Sequence, residues 1–513
     1  MAFELLLSHR HKNSSMYVIG YMLIALAIGM VPCLFFNLVN GEPVEPFLWP
    51  ILGCVISWAA ILLLFRLPDI VRPVDGLVMI GVMWVVAIAV GSIPFTLSGM
   101  EPVNSIFEST SGITTTGSTI MNDIESWPSG ILLWRSMMQW IGGIVIIIIV
   151  MLVMPMIGFG GRELFGNETS GSGAVNFSIK LRDAAKQFII IYLMLTALLI
   201  AILMLLGMDL YEGLCLGLST ISTGGFMCKG DSVISYDILI KIVVMIFMFL
   251  GGTNFYLHFK AIYRRNSSGY AHNEEFRFML ILDLIFIAVA FFIVVAGGQL
   301  IREELFQDGD LNGFVDVAFN VISASTTTGF VASDYDKWAP AAVMLLFGVM
   351  IVGGSTGSTS GGLKIGRMLI TAKYAFNGLK QMLHPRAFYD VRLNKSSVDN
   401  STISASITIT ILFFFTIVIG TGVLMLTGID FQSSITTMIA NLTTFGPATG
   451  GFGAIGSYEA MEWHTKIFLC FVMWLGRLEI LTGLILLTPG FWKEYLMSRR
   501  SKEHKPMSAR FRH

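Results

Sequence analysis

The sequence predicts an all-α integral membrane protein, in which four helix–short helix–helix repeats follow an extra N-terminal helix pair. Three observations predict this fold: the composition, a series of long apolar segments, and a Thr/Gly tetrapeptide that recurs four times. The 513-residue chain is 54% hydrophobic and only 13% charged. Soluble domains carry about a quarter charged residues, so a chain of this length and composition belongs in a membrane.

Nine apolar segments are long enough to cross a membrane, since a helix of about 20 residues spans the ~30 Å hydrocarbon layer. They lie near 16–39, 48–66, 74–98, 130–158, 186–208, 236–260, 276–297, 403–428 and 464–489. A tenth segment, near 338–352, is short and runs into a glycine-rich stretch. The first segment is long and no small-residue cleavage site follows it, which favours a retained helix over a signal peptide.

The distribution of basic residues predicts the orientation. Lys and Arg concentrate in the loops after alternate spans, for example in "RLPDIVR" at 66–72 and "KAIYRR" at 260–265. The positive-inside rule places these loops in the cytoplasm, and ten spans then place both termini there. The net charge of −1 indicates no partner, and nothing predicts nucleic-acid binding. The five cysteines lack a CxxC pair and predict neither a disulfide framework nor a metal site.

A tetrapeptide of the form Ser/Thr-Thr-x-Gly recurs along the chain. Its glycines are separated by 108, 104 and 117 residues, and a fifth match, "STSG" at 358–361, breaks the period. Regular recurrence is typical of an internal repeat. The four copies are Thr114, Thr115, Thr116, Gly117; Ser222, Thr223, Gly224, Gly225; Thr326, Thr327, Thr328, Gly329; and Thr443, Thr444, Phe445, Gly446.

Each tetrapeptide follows a moderately apolar stretch of about 12 residues, which as a helix reaches about 18 Å, or halfway across a membrane. An acid precedes each stretch: Glu101, Asp209 with Glu212, Asp316, and Asp430. Acids favour helix N-termini. Each repeat therefore predicts a spanning helix, a re-entrant helix with an acidic start, a Thr/Gly loop, and a second spanning helix. All four loops enter from the less basic, extracellular side.

Four such loops around one axis would form a pore within a single chain. Irregular backbone is tolerated at membrane depth only inside protein or along water. The re-entrant helices would direct their negative C-terminal ends at the axis, which favours a cation. The loops would present carbonyl and hydroxyl oxygens that replace the hydration shell of an ion. The alternative is that these small residues are helix-packing sites.

The chain resembles the Trk-type potassium uptake proteins, the TrkH/TrkG membrane subunits of the Trk/Ktr/HKT superfamily. The resemblance covers nearly the whole chain and is carried by "FESTSGITTTGST", "LSTISTGGF", "SASTTTGF", "MFLGGTNFYLHF", "GGSTGSTSGGLK" and "MWLGRLEI". It implies potassium as the bound ion, the four glycines as filter glycines, and the residues two and three positions before each glycine as the lining of the ion sites. In the fourth loop related members often carry Asn-Asn, where this chain has Thr443-Thr444.

The resemblance also implies function and partners. It predicts potassium uptake across the bacterial inner membrane by a homodimer with a cytoplasmic nucleotide-binding ring subunit. A sodium-selective or sodium- or proton-coupled transporter of the same superfamily is the alternative. Glycine at all four filter positions favours potassium, because in this family serine at the first favours sodium. A membrane enzyme or receptor would need a catalytic cluster or a soluble domain, and the sequence contains neither.

Two features beneath the predicted filter complete the site. Arg477 lies within the last span, where a charge costs several kcal/mol unless it faces water or a partner. The resemblance implies that it faces the pore, and the alternative is an ion pair with another helix. The run "GGSTGSTSGG" at 353–362 should break a helix and is predicted to form a gate loop, the alternative being a packing stretch. Its glycines are Gly353, Gly354, Gly357, Gly361 and Gly362.

The chain is accordingly divided into six segments. These are an N-terminal helix pair (1–70), repeat 1 with the first filter loop (71–160), repeat 2 (161–270), repeat 3 with the intramembrane loop 353–362 (271–395), repeat 4 (396–492) and a cytoplasmic tail (493–513).

Overall fold

The structure, a computed structural model, describes residues 11–66, 73–152, 174–296 and 310–493, together with Tyr495 and Met497. Most of the predicted cytoplasmic tail and residues 153–173, around the boundary between repeats 1 and 2, lie outside these residues. Helices dominate the described chain, which confirms the all-α prediction. Two small sheets accompany them: β1 (His11–Lys12) pairs in parallel with β2 (Phe65–Arg66), and β3 (Arg392–Leu393) is antiparallel to β4 (Ser396–Ser397).

The helices follow the predicted order of an N-terminal pair and four repeats. The pair is α1 (Ser14–Asn40) and α2 (Glu45–Leu64). Repeat 1 contains α3 (Pro73–Leu97), the re-entrant α4 (Pro102–Ile113) and α5 (Ser129–Leu152). Repeat 2 contains α6 (Ala174–Leu205), the re-entrant α7 (Leu210–Ile221), α8 (Ile238–Gly251), α9 (Phe255–Tyr263) and α10 (Ser268–His272). Repeat 3 contains α11 (Glu274–Ala296), the re-entrant α12 (Asp310–Ser325), α13 (Pro340–Val352) and α14 (Ile365–Leu383). Repeat 4 contains α15 (Asn400–Leu426), the re-entrant α16 (Phe431–Leu442), α17 (Trp463–Arg477) and α18 (Ile480–Leu487).

Two of the predicted spans are broken. Among the described residues, seven helices are long and apolar enough to cross a membrane, or up to nine if each bent pair counts as one span. The predicted spans 236–260 and 464–489 are these bent pairs, with α8 and α9 at 97° and α17 and α18 at 117°. The expectation of continuous helices was wrong there. The first break follows Gly251 and Gly252, and the second contains Glu479 at φ +57°.

The start of the re-entrant helices follows the prediction in three repeats. Glu101 directly precedes α4, and the Asp209 carboxylate accepts a hydrogen bond of 2.9 Å from the Tyr211 backbone N–H. Asp430 caps α16 by accepting from the Ser433 backbone N–H at 2.9 Å, and this bond holds the pKa of Asp430 below its usual value. In repeat 3 the expectation was wrong. There α12 is already helical at Asp310, so Asp316 lies inside the helix and pairs with Lys241.

The second helices of repeats 1 and 4 pack closely against the ends of the re-entrant helices. A β-carbon added to Gly142 would lie 2.0 Å from the carbonyl oxygen of Ile113, the last residue of α4. A β-carbon added to Gly476 would lie 2.2 Å from the carbonyl oxygen of Leu442, the last residue of α16. Real β-carbons do not approach this closely, so glycine is required at both positions. This packing fixes how far each re-entrant helix enters the fold.

The buried apolar side chains form two large clusters. One lies mainly among the N-terminal pair and repeats 1 and 2, and the other mainly among repeats 3 and 4. The outer helices expose large apolar side chains, as a lipid-facing surface requires; examples are Ile28, Ile56, Phe292, Val418 and Leu426. The re-entrant helices lie inside this shell.

Candidate cation pathway

All four Thr/Gly loops share one unusual backbone conformation. Thr115, Thr223, Thr327 and Thr444 have φ between 52° and 58°, and the glycines two positions later have φ between 85° and 101°. A β-branched residue at positive φ is a genuine outlier. Such strain persists only where the surrounding structure enforces it, and it concentrates at functional sites. Because the outlier recurs at the same place in each loop, it is a property of the repeat.

Backbone hydrogen bonds close each re-entrant helix in the same way. The N–H of the residue before each glycine donates to the helix carbonyl five residues earlier. The distances are 2.8 Å for Thr116 to Ser111, 2.9 Å for Gly224 to Ser219, 2.8 Å for Thr328 to Ser323 and 2.8 Å for Phe445 to Ala440. This bond is characteristic of a helix C-terminus at which a residue just beyond the helix adopts the left-handed backbone conformation. It reverses the chain direction at the C-terminal end of each re-entrant helix.

The four loops form a closed ring, which we call the Thr/Gly ring (residues 114–117, 222–225, 326–329 and 443–446). Each glycine lies against the carbonyl oxygen of the residue that precedes the glycine of the next loop. An added β-carbon would meet that oxygen at 2.4 Å (Gly117 and Gly224), 2.3 Å (Gly225 and Thr328), 2.1 Å (Gly329 and Phe445) and 2.5 Å (Gly446 and Thr116). These contacts run from the first loop to the second, third and fourth and back to the first. All four predicted glycines therefore lie around one axis.

The fourth loop keeps this geometry despite its different sequence. Phe445 is buried, and its carbonyl occupies the position that Thr116, Gly224 and Thr328 provide in the other loops. The residue at positive φ is Thr444, as the repeat requires. The Thr443 hydroxyl donates to the Ile439 carbonyl at 2.8 Å. The departure from Asn-Asn therefore changes side chains and leaves the backbone of the ring intact.

The polar atoms of the ring are neutral oxygens. The Ser and Thr residues of the tetrapeptides are all buried, and Thr114 shares a hydroxyl–hydroxyl hydrogen bond of 2.8 Å with Thr116. The hydroxyls of Thr115 and Thr444 have no hydrogen-bond partner among the described residues. A cavity of about 80 Å³ lies at the outer side of the ring, where Gly117, Gly225 and Gly329 line it.

The glycine-rich segment 353–362 breaks the helix between α13 and α14, as predicted, and lies against the ring. The Gly361 N–H donates to the Thr327 hydroxyl at 2.6 Å, and the hydroxyls of Thr223 and Thr359 are 3.3 Å apart. A β-carbon on Gly361 would lie 2.1 Å from the Thr443 carbonyl oxygen. The segment thus contacts three of the four loops.

Only one of the five predicted gate glycines reaches the ring. Gly361 does so, whereas the Gly357 carbonyl accepts from the Phe255 N–H at 3.1 Å, at the break between α8 and α9. Gly353 and Gly362 pack against each other, and Gly354 lies beside Gly252. These contacts anchor the segment on both sides of the residues that touch the ring.

Arg477 lies directly beneath the ring at the end of α17. Its side chain is 3% exposed, and its Nη1 donates to the Thr359 carbonyl at 2.8 Å. Its Nε and Nη2 have no hydrogen-bond partner among the described residues, and no described carboxylate forms an ion pair with it. Glu479 pairs instead with Arg367 on α14. The alternative of an interhelical ion pair for Arg477 is therefore not found within the described chain.

A comparison with protein families identifies the family of this chain. The profile described as "TrkH: Cation transport protein" matches residues 68–492. The chain belongs to the TrkH family. This confirms the resemblance that the motifs indicated. TrkH proteins are transporters and not enzymes, as expected from the lack of a catalytic cluster.

Individual TrkH relatives match along most of their length. The Trk system potassium uptake protein TrkH of Halomonas elongata is 30% identical over 490 residues, covering 93% of this chain and 98% of the relative. The protein of the same name from Escherichia coli is 31% identical over 426 residues, covering 82% and 86%. The crystal structure of the potassium transporter TrkH from Vibrio parahaemolyticus superposes with a TM-score of 0.83 at 27% identity, covering 93% of this chain and 98% of the other.

Sequence reasoning missed the polar groups behind the ring of this TrkH-family protein. Glu108 on α4 and Arg135 on α5 form a buried ion pair, with 2.7 Å between Oε1 and Nε. The Gln139 amide donates to the Gly224 carbonyl at 2.6 Å. The available signal was Glu108 itself, an acid inside a half-length apolar helix.

Proposed function

We propose that this protein takes up potassium ions across the bacterial inner membrane through the Thr/Gly ring. The observation that carries the proposal is the closed ring itself, in which four loops of one chain adopt the same strained backbone and contact each other in cyclic order. The relatives named as potassium uptake proteins support potassium as the cargo. The ion is then the transported substrate and not a resident cofactor.

The electrostatics of the ring suit a monovalent cation. Four re-entrant helices end at the ring, and the C-terminal end of a helix carries a negative partial charge. The tetrapeptides contain only Ser, Thr, Gly and Phe, so the ring itself has no formal charge. Calcium sites typically include carboxylates, whereas rings of backbone carbonyls serve potassium. All sixteen tetrapeptide residues are assigned to the ion path on this basis.

Glycine at the ring positions supports potassium over sodium. An added β-carbon at any of the four glycines would overlap a carbonyl oxygen of the neighbouring loop. Serine at the first position, which in this family favours sodium, would therefore require a different ring. The sodium-selective or coupled alternative is tested by the flux experiment described below.

Arg477 and the segment 353–362 are proposed to form the barrier beneath the ring. The segment places Thr359 between the ring and Arg477, since Thr359 contacts Thr223 through its hydroxyl and Arg477 through its carbonyl. A guanidinium close to the path repels a cation, and the low dielectric of the protein interior strengthens this repulsion. Displacement of the segment would remove both the steric and the electrostatic obstacle.

Replacing Arg477 with alanine should raise the transport rate by at least about tenfold, the factor that corresponds to about 1.4 kcal/mol in the barrier. The positive charge beneath the ring disappears, while the segment keeps its contacts with Thr223 and Thr327. Rubidium uptake per inserted protein in proteoliposomes measures the effect. Arg477→Lys is the matched control, because it keeps the charge and should remain slow. An alanine variant that inserts normally and transports no faster would contradict a pore-facing Arg477.

The function itself is tested in a potassium-uptake-deficient bacterium. Expression of this chain should restore growth at low potassium, and flux measurements should show rubidium entering in preference to sodium. Growth rescue that needs sodium, or sodium flux equal to rubidium flux, would favour the sodium-selective or coupled alternative. Absence of rescue by an inserted protein would contradict potassium uptake by this chain under these conditions.

Membrane topology and assembly belong to the same proposal. The basic loops support a multi-pass protein in contact with membrane lipids and with both termini in the cytoplasm. The resemblance supports a homodimer and a cytoplasmic nucleotide-binding ring subunit. The proposal also divides the chain into the six predicted segments. Tag accessibility at each terminus and the mass of the detergent-solubilised protein measure orientation and oligomeric state.

A further inference from the structure

One edge of the Thr/Gly ring is held by contacts of a different kind from those at the other three edges. Between the second and third loops, the Val233 N–H donates to the Val331 carbonyl at 3.2 Å. Between the third and fourth, the Tyr335 hydroxyl donates to the Ala448 carbonyl at 2.8 Å. Between the fourth and first, the Tyr458 N–H donates to the Thr119 carbonyl at 2.8 Å. At the edge between the first and second loops, two side chains of repeat 1 hold the second loop: the neutral Gln139 amide and the charged Arg135, which is itself paired with Glu108.

Glu108, the ion-pair partner of Arg135, holds the segment that leaves the first loop. Glu108 is fully buried, and its carboxylate accepts from the Ile120 N–H at 2.9 Å and from the Thr119 hydroxyl at 3.1 Å. Thr119 is two residues beyond Gly117. The carboxylate therefore fixes the exit of the first loop from the ring.

Arg135 connects this carboxylate to the second loop. Its Nε donates to Glu108 at 2.7 Å, its Nη2 to the Thr119 hydroxyl at 2.9 Å, and its Nη1 to the Met227 carbonyl at 2.9 Å. Met227 is two residues beyond Gly225. The guanidinium carbon also lies 4.1 Å from the centre of the Phe226 ring, a cation–π distance. One side chain thus bridges the exits of two neighbouring loops.

We propose that Glu108 and Arg135 are positioning residues that set the spacing between the first and second loops and thereby the ion selectivity of the ring. The inference rests on the proposed function. Gly117 and the Gly224 carbonyl meet with no room for a single added atom, so a shift of one loop changes the ring directly. Removing one partner of a buried pair leaves an uncompensated charge, and its relaxation would move the exits of both loops.

The test compares Glu108→Gln with a matched control pair. Lys241 and Asp316 also join a second helix to a re-entrant helix, at 2.8 Å, and neither of them bonds to a loop of the ring. Proteoliposomes containing equal amounts of inserted wild type, Glu108→Gln and Asp316→Asn are assayed for rubidium and sodium flux. Glu108→Gln should lower the rubidium/sodium flux ratio by about tenfold, whereas Asp316→Asn should leave the ratio unchanged.

Arg135→Lys provides a second, conservative variant. Lysine can keep the charge pair with Glu108, but it cannot also reach Thr119 and Met227 in the fixed geometry of a guanidinium fork. Its flux ratio should fall between those of the wild type and Glu108→Gln. This graded order is the signature of positioning, because a purely structural pair would change the amount of inserted protein and not the ratio.

Three results would overturn the inference. The first is an unchanged ratio in inserted Glu108→Gln, and the second is an equal loss of the ratio in Asp316→Asn. The third is that neither Glu108→Gln nor Arg135→Lys inserts, which would assign the pair to folding alone. A wild-type protein without potassium-selective flux would instead contradict the proposed function. The wild-type baseline therefore separates the two failures.

Discussion

Replacing Gly117 with serine should reduce discrimination between potassium and sodium by at least about tenfold. Gly117 has φ +86°, which L-residues avoid at a cost of about 1–2 kcal/mol. The new β-carbon would also lie 2.4 Å from the Gly224 carbonyl oxygen, so the first and second loops must separate. A tenfold change in selectivity corresponds to about 1.4 kcal/mol. The backbone strain at Gly117 and the separation of the two loops are each large enough to cause it. Paired rubidium and sodium fluxes in proteoliposomes measure it.

Gly428→Ser is the control for the backbone strain alone. Gly428 has φ +90°, precedes the fourth re-entrant helix, and has no atom within 4 Å of an added β-carbon. This variant should lose some stability and keep its selectivity. If Gly117→Ser transports with the wild-type flux ratio, the ring contact at Gly117 does not determine selectivity.

Deleting residues 355–359 should increase flux by about tenfold or more, a barrier change of at least about 1.4 kcal/mol. The deletion removes Thr359, which connects Arg477 to the ring, and shortens the segment that contacts the second, third and fourth loops. The path beneath the ring should then stay open without a cytoplasmic partner. Rubidium uptake by proteoliposomes that contain only the wild type or only the deletion variant is the measurement.

A deletion of equal length in an exposed connection is the control. Residues 384–388 lie between α14 and β3, where Phe388 is 92% exposed, and their removal should leave flux unchanged. The packing alternative for 353–362 predicts the opposite sign, namely less inserted protein and less flux. A deletion variant that inserts normally and transports more slowly than the wild type would therefore exclude a gate.

Local signals made much of the fold predictable. Apolar length located the spanning helices, and the recurrence of the tetrapeptide located all four re-entrant helices. The breaks at Gly252 and Glu479 were missed because apolar length does not register a bend. Glu479 itself is neither glycine nor proline, and it adopts φ +57° under tertiary constraint. The start of α12 was misplaced because Asp316, assigned as a helix start, serves as an ion-pair partner of Lys241.

The site was predictable only where one residue type is obligatory. The ring glycines were found because no other residue fits both the φ values and the carbonyl contacts. Glu108 and Arg135 lie 27 positions apart on different helices, so nothing in their local sequence relates them. The same holds for Thr359 and Arg477, which meet only because α17 ends where the intramembrane segment passes. Pairings of this kind depend on tertiary geometry, which the periodicity of a single sequence does not encode.

The cyclic contact of four unequal loops has a genetic consequence. In a pore made from four identical subunits, one codon change alters every quarter at once. Here each codon alters a single quarter, so a substitution changes one edge while the other three keep their contacts. The fourth loop illustrates this independence, since Phe445 stands where the other copies have Thr or Gly and the backbone contacts of the ring are kept. A saturation scan of the tetrapeptides should accordingly give four distinct tolerance profiles, with the first and second quarters sharing a dependence on Arg135, which bonds to the exits of both loops.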